Sequence, residues 1–392
     1  MFWNRRLPAV ALFVASSSLL TAQTVFPTGT TIHDSSASDG HTLFSNPNGE
    51  AVLIDMDGTV LHTWASPLPG EHLGLIKPLP KGHLLGAVHR PGSQQWHTAV
   101  ELDWNGKVVW AYYMDPAAGY IHHDLERLPN GNTLILGAQR LLAPQISPVP
   151  VLDDFILEVD PDGNPVWIWE TWQHFDEFGF DSLARQLISA QAGDWAHTNA
   201  VSVIPRNKHG RPELRRGNLI VSQRYTNRFF IIDKATGNIV WQNQPNIATL
   251  GQHAPYMISG DDPGAGNIMV FDNGAGTGYP MPSRTAPGFS RVLEINPASK
   301  TIAWQYDASR SGFFSRVFFD DIVCNAQRLR NGNTLICSGV RGRLFEVTPS
   351  GAIAWEYMSP FYAEIFGPGS RSALLYRAYR VPTRWAGDLL EP

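Results

Sequence analysis

The sequence of 392 residues predicts an all-β fold, a six-bladed β-propeller whose four-stranded antiparallel blades surround a central channel. Two repeated elements support this prediction: a hairpin that ends in tryptophan, and a shorter strand element that precedes each copy of the hairpin. The composition agrees, because 43% hydrophobic and 17% charged residues are typical of a folded protein with a large core. A two-sheet sandwich is the competing fold, but six in-register copies favour the propeller.

The tryptophan hairpin begins with apolar residues, passes through a polar turn and reaches its tryptophan about ten residues later. Its copies span residues 53–64, 100–110, 156–167, 230–241, 292–304 and 344–355. Alternating apolar residues around a DG- or NG-type turn predict two antiparallel strands in each copy. We expect the regular tryptophans to pack between neighbouring sheets.

The preceding strand element supplies the other half of each repeat. Its copies span residues 39–45, 81–87, 130–136, 216–222, 265–271 and 331–337. Two hairpins per repeat give four strands, which is one propeller blade. The longest interval between repeats contains a predicted short helix within 177–195 and a polar insert at 206–217. The C-terminal segment 374–385 is expected to close the ring against the first blade.

Residues 1–23 predict a secretory signal peptide, and 24–392 a single propeller domain. A basic start precedes an apolar run that is too short to span a bilayer, and no other segment is long and apolar enough. We therefore expect export to the periplasm or the medium. The net charge of -5 disfavours nucleic acid and anionic membranes as partners. The oligomeric state, a monomer included, stays open.

Two cysteines, Cys324 and Cys337, flank a predicted hairpin turn at Asn331–Gly332. An exported protein permits a disulfide, and two strands of one hairpin bring the cysteines near each other. Their register is off by about one pair, which strains the sulfur geometry that a disulfide requires. A disulfide and two buried free thiols both remain open.

Histidines and arginines concentrate in two sets of loops that a propeller places on the same face. The loops before the first strands carry His72, His122, His123, His197 and His253, and the loops after the second strands carry Arg90, Arg140, Arg224, Arg341 and Arg343. Arginine binds the oxygens of sulfate or phosphate, and histidine acts as a nucleophile or an acid–base group near neutral pH. The two sets together predict a site for a tetrahedral anion at the channel mouth.

Some residues in these loops have a structural interpretation. His72 and His89 are expected to be structural or exposed. The run His122-His123-Asp124 has zinc-ligand chemistry, but neighbours on one strand point to opposite sides, so we expect no metal. A group of aromatic residues forms either an apolar wall for an aryl ring or part of the core: Trp195, Tyr256, Phe313, Phe314, Phe318 and Phe319.

Four segments together resemble the arylsulfotransferase family. They are HHDLERLPNGNTLIL (122–136), DWAHTNAVSV (194–203), GNLIVSQR (217–224) and GQHAPYMI (251–258), and the segments 325–357 and 377–385 are also similar to bacterial members. Enzymes of this family are exported six-bladed propellers that move a sulfuryl group from a phenolic sulfate to a phenol. Family members often carry an additional N-terminal β-domain, for which residues 24–38 are too few.

The resemblance implies roles for individual residues. His253 would be the nucleophile that forms a sulfohistidine, and His197, Asn199 and Arg224 would bind and polarise the sulfuryl oxygens. A further histidine would come from His123, with His122 as the alternative. The pair Asp194-Trp195 also matches the family pattern. Arg140 and Arg341, from the second loop set, are expected to add substrate-binding charge.

The predicted function is therefore transfer of a sulfuryl group between small molecules, from an aryl sulfate donor to a phenolic acceptor, without a PAPS-like nucleotide or another cofactor. No glycine-rich loop that would hold a nucleotide phosphate follows a predicted strand. Two alternatives remain open. One is a sulfatase or phosphoester-transfer enzyme with the same histidine intermediate, and the other is a non-catalytic propeller that binds partners.

Overall fold

The computed structural model describes residues 27–93, 95–191, 193–276, 278–279, 287–365 and 367–390. The predicted signal peptide at 1–23 lies outside these residues. The strands are β1 Gly29–His33, β2 His41–Ser45, β3 Ala51–Ile54, β4 Val60–Trp64, β5 His72–Pro78, β6 Leu84–His89, β7 Trp96–Leu102, β8 Val108–Tyr113, β9 Tyr120–Arg127, β10 Thr133–Leu141, β11 Val151–Val159, β12 Pro165–Glu170, β13 Thr198–Val203, β14 Leu219–Gln223, β15 Arg228–Ile232, β16 Ile239–Gln242, β17 His253–Met257, β18 Ile268–Asp272, β19 Arg291–Asn296, β20 Thr301–Tyr306, β21 Asn325–Arg328, β22 Thr334–Ser338, β23 Arg343–Val347, β24 Ile353–Met358, β25 Ala363–Glu364, β26 Arg371–Ser372 and β27 Ala378–Val381.

Helices are few and short in the described part of the chain. The predicted helix is present as α1, Ser182–Gln191. Short 3₁₀ segments lie at Pro80–Gly82, Thr171–Phe178, Pro212–Leu214, Ala308–Ser311, Ser315–Val317, Gly339–Arg341 and Thr383–Leu390. Within the described ranges, no helix has the length and apolar character needed to cross a membrane.

The strands form antiparallel sheets in an all-β, propeller-like arrangement. Their orders are β27-β2-β3-β4, β13-β14-β15-β16, β17-β18-β19-β20 and β1-β24-β23-β22-β21. The runs β5 to β8 and β9 to β12 join into one eight-stranded sheet through the pairing of Trp96 with Ile121. The short hairpin β25-β26 stands apart from these sheets. Every predicted tryptophan hairpin is an antiparallel pair, from β3–β4 to β23–β24.

Most of the repeated tryptophans connect one sheet to the next, as predicted. Their indole Nε1 atoms donate to backbone carbonyls in the turn between the third and fourth strands of the following repeat, at 2.7–3.1 Å: Trp64 to Asp103, Trp169 to Gly237, Trp241 to Pro297, Trp304 to Pro349 and Trp355 to Met56. In the third repeat Trp169 makes this bond, rather than the predicted Trp167. A buried indole N–H needs an acceptor, so the bond adds a specific link to the apolar packing between sheets.

A second repeated contact explains the asparagine that directly follows the turn glycine in three of the repeats. Asn132, Asn267 and Asn333 donate from Nδ2 to glutamates on the third strands of their own sheets, each at 2.6 Å. The partners are Glu158, Glu294 and Glu346. A buried carboxylate requires such donors, so this pair fixes the first hairpin of the repeat against the second.

Both described ends of the chain close the ring. The C-terminal strand β27 pairs with β2, in agreement with the prediction for 374–385. The N-terminal strand β1 pairs with β24 of the last repeat, which the sequence did not predict. The two segments therefore tie the last repeat to the first.

The two cysteines are buried free thiols. The strand partner of Cys337 is Asn325, one residue beyond Cys324, so the register is off by one pair as the sequence indicated. Burial raises the pKa of both thiols well above the ordinary value. The sequence left a disulfide and two free thiols open, and the structure contains the free thiols.

Candidate functional site

A cavity of about 450 Å³ opens among the loops that carry the predicted histidines. Its lining includes His123, His197 and His253 together with Arg224. A volume of this size is ordinary for a small-molecule site. The structure therefore brings together four of the eight residues that the sequence analysis named as site residues.

The backbone around these histidines is unusual. His123, His197 and Ala254 have φ values of 56°, 51° and 50°, in the left-handed region that non-glycine residues rarely adopt. The first strands β9, β13 and β17 also carry irregular registers against their neighbours at these positions. Bulges of this kind re-aim side chains, and strained residues cluster at functional sites. The irregular backbone turns the three imidazoles towards the cavity.

The same distortion corrects the prediction that His122 and His123 point to opposite sides. Their Nδ1 atoms lie 2.7 Å apart, and their rings meet edge to face with centroids at 5.0 Å. Strict alternation holds for a regular strand, but the left-handed φ of His123 interrupts it. Only His123 lines the cavity, whereas His122 is buried with its Nε2 3.2 Å from Asp154 Oδ1.

The imidazoles of His123, His197 and His253 are each held through Nδ1. His253 Nδ1 bonds to Asn273 Oδ1 at 2.7 Å, His197 Nδ1 to Asp194 Oδ2, and His123 Nδ1 to His122. Within the part of the chain that the structure describes, no residue hydrogen-bonds the Nε2 atoms of these three rings. A partner on one ring nitrogen fixes the orientation of the ring and the reactivity of the other nitrogen. The arrangement leaves three Nε2 atoms for a ligand.

Asn273 determines the tautomer of His253. Its Nδ2 donates to the carbonyls of Asp320 at 2.8 Å and Val323 at 3.3 Å, which leaves Oδ1 as the acceptor. His253 Nδ1 must therefore carry the proton, and the lone pair lies on Nε2. Burial, supported by the charges of Arg224 and Arg377 and opposed by the bond to Asn273, lowers the pKa of His253 to about 3. The ring is neutral at pH 7.

The charges of His122 and His123 differ because their surroundings differ. Burial opposes protonation of His122, but the hydrogen bond and the charge of Asp154 raise its pKa. Burial, together with the neighbouring His197 and His122, lowers the pKa of His123 well below the ordinary value. When His122 is protonated it donates from Nδ1 to His123 Nδ1, and the single proton of His123 then lies on Nε2.

Arg224 is linked to the His197 loop and brings positive charge to the cavity. Its backbone N–H donates to His197 O at 3.0 Å, and its Nη2 donates to Asp321 O at 3.1 Å. Its Nε is buried without a partner, and no carboxylate among the described residues forms an ion pair with it. A guanidinium without a counter-ion in a cavity is suited to an anionic ligand.

The other four predicted site residues do not line the cavity. Asn199 is fully buried and donates from Nδ2 to Gln252 O at 2.8 Å, so it supports the segment before His253 rather than facing a ligand. His122 stands behind His123. Arg140, which lies inside strand β10, and Arg341 are exposed and are not part of the cavity lining. The expectation that both loop sets meet at the cavity holds for only part of each set.

The aromatic residues of the cavity also differ from those expected. Trp195 and Phe318 are buried in the core, Tyr256 is half-buried against it, and Phe313 and Phe314 are exposed. The rings that line the cavity belong to Trp96, Tyr225, Tyr376 and the histidines, His72 and His89 among them. Core packing explains the first group. In the second group, His72 and His89 were expected to be structural or exposed, and nothing in the sequence pattern singled out Trp96, Tyr225 or Tyr376.

The sequence prediction also missed Asn273, although its position after a second strand could have identified it. It directly follows the second strand β18, as Arg224 directly follows β14. The loop after the second strand therefore supplies a site residue in both repeats. In one repeat the residue is an arginine, and in the other it is an asparagine before glycine, which is easily taken for a turn.

The described residues contain no group of three or more histidine, cysteine or acidic side chains that could hold a metal ion.

Among solved structures, the chain is similar to a protein of unknown function from Bacteroides caccae, with 16% identity, 87% of this chain and 98% of that chain covered, and a TM-score of 0.53. It is also similar to a streptogramin B lyase structure, with 14% identity, 90% and 92% covered, and a TM-score of 0.44. The first likeness concerns the fold alone.

A third similar structure is the beta-propeller domain of Myceliophteria thermophila Cps50 (Swd1), with 12% identity, 83% of this chain and 90% of that chain covered, and a TM-score of 0.41. No curated protein matches the chain. The family model described as Arylsulfotransferase (ASST) matches residues 28–248 and 242–357, which include all the histidines of the cavity. The chain belongs to the arylsulfotransferase family.

Proposed function

We propose that the protein is a PAPS-independent aryl-sulfate sulfotransferase that works through a sulfohistidine on His253. The observation that carries this proposal is the arrangement of the three imidazoles. His123, His197 and His253 are each held at Nδ1, and their Nε2 atoms share one cavity with Arg224. A nucleophile, a proton carrier and donors for an oxyanion are the groups that sulfuryl transfer requires.

In the first half-reaction, the lone pair of His253 Nε2 forms a bond to the sulfur of an aryl sulfate. The bond between sulfur and the phenolic oxygen breaks, and its electron pair leaves with that oxygen. A proton from His197 Nε2 converts the leaving phenolate into a phenol. His253 retains its Nδ1 proton, which the hydrogen bond to Asn273 continues to hold.

The second half-reaction reverses these roles. The acceptor phenol gives its proton to His197 Nε2, and its oxygen attacks the sulfur while the bond from sulfur to His253 breaks. His253 returns to its neutral form, and His197 is again protonated. The whole cycle exchanges one phenol for another and consumes no proton, which is a ping-pong reaction with a covalent intermediate.

The surroundings of the histidines favour His197 over His123 as the proton carrier. The Asp194 carboxylate bonds to His197 Nδ1 and stabilises the positive charge that the ring carries in half of the cycle. His123 has two histidines as neighbours, and burial lowers its pKa. A neutral His123 donates from Nε2 to a sulfuryl oxygen instead, while Arg224 balances the negative charge of the sulfate.

We further infer that the sheets are six blades of four strands. The eight-stranded sheet contains two runs of four, β5 to β8 and β9 to β12, which a single residue pair connects. We also propose that residues 24–392 are one domain and that the protein is exported after removal of 1–23. Support for export comes from the basic start and the apolar run of that segment.

Acceptor dependence tests the proposal. The protein is incubated with 4-nitrophenyl sulfate, with and without added phenol. We expect sustained release of 4-nitrophenol only when phenol is present, together with phenyl sulfate as the second product. Release that ignores phenol and yields free sulfate would show a sulfatase instead. Absence of any release under both conditions would favour a non-catalytic protein.

A further inference from the structure

Arg377 is a buried arginine beside the cavity that the proposed reaction does not use. It is 4% exposed, and the cavity lining includes its neighbour Tyr376 but not Arg377 itself. The segment that carries it also closes the ring, because β27 begins with the next residue and pairs with β2. The match of the family model ends at residue 357, so Arg377 lies beyond it. A buried cation at this place needs an explanation.

The guanidinium of Arg377 joins two first strands. Its Nη1 lies 2.9 Å from Asp124 Oδ2 in β9, and its Nη2 donates to Asn199 O in β13 at 3.0 Å. Asp124 directly follows His123, and Asn199 is two residues after His197. The planar fork of a guanidinium holds both contacts in one fixed geometry. One side chain therefore links the strand of His123 to the strand that begins beside His197.

The same network extends to His253 through the side chain of Asn199. The Asn199 Nδ2 donates to Gln252 O at 2.8 Å, one residue before His253. Asn199 thus accepts from Arg377 at its carbonyl and supports the segment of His253 with its amide. A shift of this backbone would move the segment that carries His253, so all three histidine segments depend on the position of Arg377.

The pair of Arg377 and Asp124 is completed by two further donors. The backbone N–H of Val201 donates to Asp124 Oδ2 at 3.0 Å, and Lys77 Nζ lies 2.8 Å from Oδ1. Burial opposes ionisation of Asp124, but the charges of Arg377 and Lys77 lower its pKa. Desolvation of both charges offsets their attraction, so a buried ion pair contributes little net stability by itself. The strands that the pair connects explain it better than its own energy does.

Tyr376 and Arg377 together hold the strained backbone of His123. The hydroxyl of Tyr376 donates to His123 O at 2.9 Å, and the next residue along β9, Asp124, is the partner of Arg377. The φ of 56° at His123 is in the left-handed region. Such a residue keeps its conformation only where its surroundings fix it on several sides.

We propose that Arg377 is a positioning residue for sulfuryl transfer, which sets the mutual placement of the Nε2 atoms of His123, His197 and His253 through the strands that carry them. The role in transfer rests on the proposed function, but the placement itself does not require turnover. Arg377 does not line the cavity, so it makes no contact with the bound sulfate ester. Its loss should therefore impair the transition state more than the binding of substrate.

Kinetics of two matched variants test this role. Arg377→Met should lower kcat for 4-nitrophenyl sulfate and phenol by about 100-fold and change the donor KM by less than about threefold, because misplaced groups slow the reaction without releasing the substrate. Arg380→Met is the control, since Arg380 is likewise buried in the same segment, with its Nη1 3.4 Å from Glu346 Oε2. It should lose stability and keep the wild-type kcat.

Thermal unfolding curves give the temperature at which each variant is folded, and rates are measured there. Equal losses of kcat in Arg377→Met and Arg380→Met would overturn the proposal, and so would a loss that lies only in KM. If Arg377→Met does not fold, Arg377→Lys decides the question. A lysine keeps the charge beside Asp124 but lacks the fork, so kcat should still fall about tenfold. Wild-type kcat in Arg377→Lys would contradict the positioning role.

Vanadate and sulfate provide a test without turnover. When His253 Nε2 bonds to vanadium, vanadate becomes five-coordinate and takes the shape of the transition state, whereas sulfate stays tetrahedral. Calorimetry should show that wild type prefers vanadate, and that Arg377→Met weakens vanadate at least about tenfold and sulfate by less than about threefold. Arg380→Met should change neither affinity.

The two anions also separate this role from the proposed function. A wild-type protein without a preference for vanadate, or equal losses for both anions in Arg377→Met, would overturn the positioning role. A protein that shows the expected pattern but transfers no sulfuryl group keeps the role of Arg377 and refutes the proposed function. Transfer by wild type, with vanadate binding unchanged in Arg377→Met, does the reverse.

Discussion

The two ends of the sheets are built in different ways. At the turns between third and fourth strands, five repeats make the same contact, an indole N–H that donates to a backbone carbonyl of the following repeat. At the opposite end of the third strands, around the cavity, no two repeats supply the same set of side chains. One contributes His123, another His197 with Arg224, and a third His253 with Asn273. The contacts that repeat connect neighbouring sheets, and the side chains that differ between repeats line the cavity.

The difference extends to the backbone. Among the described residues, left-handed non-glycine residues at or beside the cavity include His123, His197, Ala254 and Val323, whereas the turns between third and fourth strands contain one, Lys300. Each such residue costs about 1–2 kcal/mol relative to an ordinary conformation. The regular ends of the sheets contribute the packing that offsets this cost. Stability and activity should therefore respond to different substitutions.

The largest effect is expected at His253, the proposed nucleophile. His253→Asn keeps a donor for Asn273 but removes Nε2, so turnover should fall at least about 1,000-fold while the fold remains. Initial rates with 4-nitrophenyl sulfate and phenol, together with a thermal unfolding curve, measure both parts. His33→Asn, at an exposed site that does not line the cavity, is the control and should retain full activity. Turnover by His253→Asn within tenfold of wild type would remove His253 from the mechanism.

Loss of the carboxylate at Asp194 is expected to have the next largest effect. Asp194→Asn removes the charge that supports protonated His197, and should slow the reaction by about 100-fold. The loss should be greater for phenyl sulfate than for 4-nitrophenyl sulfate, because nitrophenolate leaves with less help from a proton. Asp162→Asn, in an exposed turn, is the matched control. Equal losses with both donors would contradict the role of His197 as the proton carrier.

Substitution of a tryptophan that donates to a turn between third and fourth strands should lower the stability of the protein and leave its activity unchanged. Trp241→Phe deprives the Pro297 carbonyl of its indole donor and should lower the free energy of unfolding by about 1–3 kcal/mol. Trp110 is the matched control, because its Nε1 has no hydrogen-bond partner among the described residues. Trp110→Phe should therefore cause a clearly smaller loss. Denaturant titration measures both variants, and both should keep the wild-type kcat. Equal destabilisation would show that packing, rather than the bond, connects the sheets.

The neutral state of His253 should be visible in how the free energy of unfolding depends on pH. The folded pKa of about 3 lies below the unfolded value of 6.5, so the unfolded chain binds the proton first as pH falls. Stability from this site is present above pH 6.5 and decreases below it, by about 2 kcal/mol at pH 5. His253→Asn does not titrate, so its free energy of unfolding should fall less than that of wild type between pH 7 and pH 5. Parallel decreases would show that His253 is not buried in its neutral form.

The hairpins and their tryptophans were predicted well, because the sequence patterns that indicate them are local. Alternating apolar residues, NG and DG turns and spaced tryptophans each report on a few neighbouring residues, and the resulting hairpins have the expected bounds within a few residues. Topology then placed the histidine loops together, and His123, His197 and His253 do share a cavity. The pairing of β1 with β24 gave no local signal, since it depends on contacts across the whole chain.

The cavity was predicted less completely, because a shift of one residue in strand register changes which side chains face it. A bulge of one residue reverses which side chains face the channel, so the contact of His122 with His123 was not foreseen. Asn273 resembled a turn residue, and nothing in the sequence pattern singled out Trp96 or Tyr376. Their positions at the cavity became visible only when the strands and loops were placed around it. Departures from the repeat, rather than the repeat itself, therefore identify candidate site residues.

The covalent intermediate is the most direct test of the central claim. The protein is treated with excess 4-nitrophenyl sulfate without an acceptor, and its intact mass is measured after quenching. Trypsin separates the three histidines, because the peptide 235–284 contains His253 alone among them. We predict one added sulfuryl group, located in that peptide, absent from His253→Asn and lost when phenol is added. A sulfuryl group on the peptides of His197 or His123, or turnover without any adduct, would contradict the account.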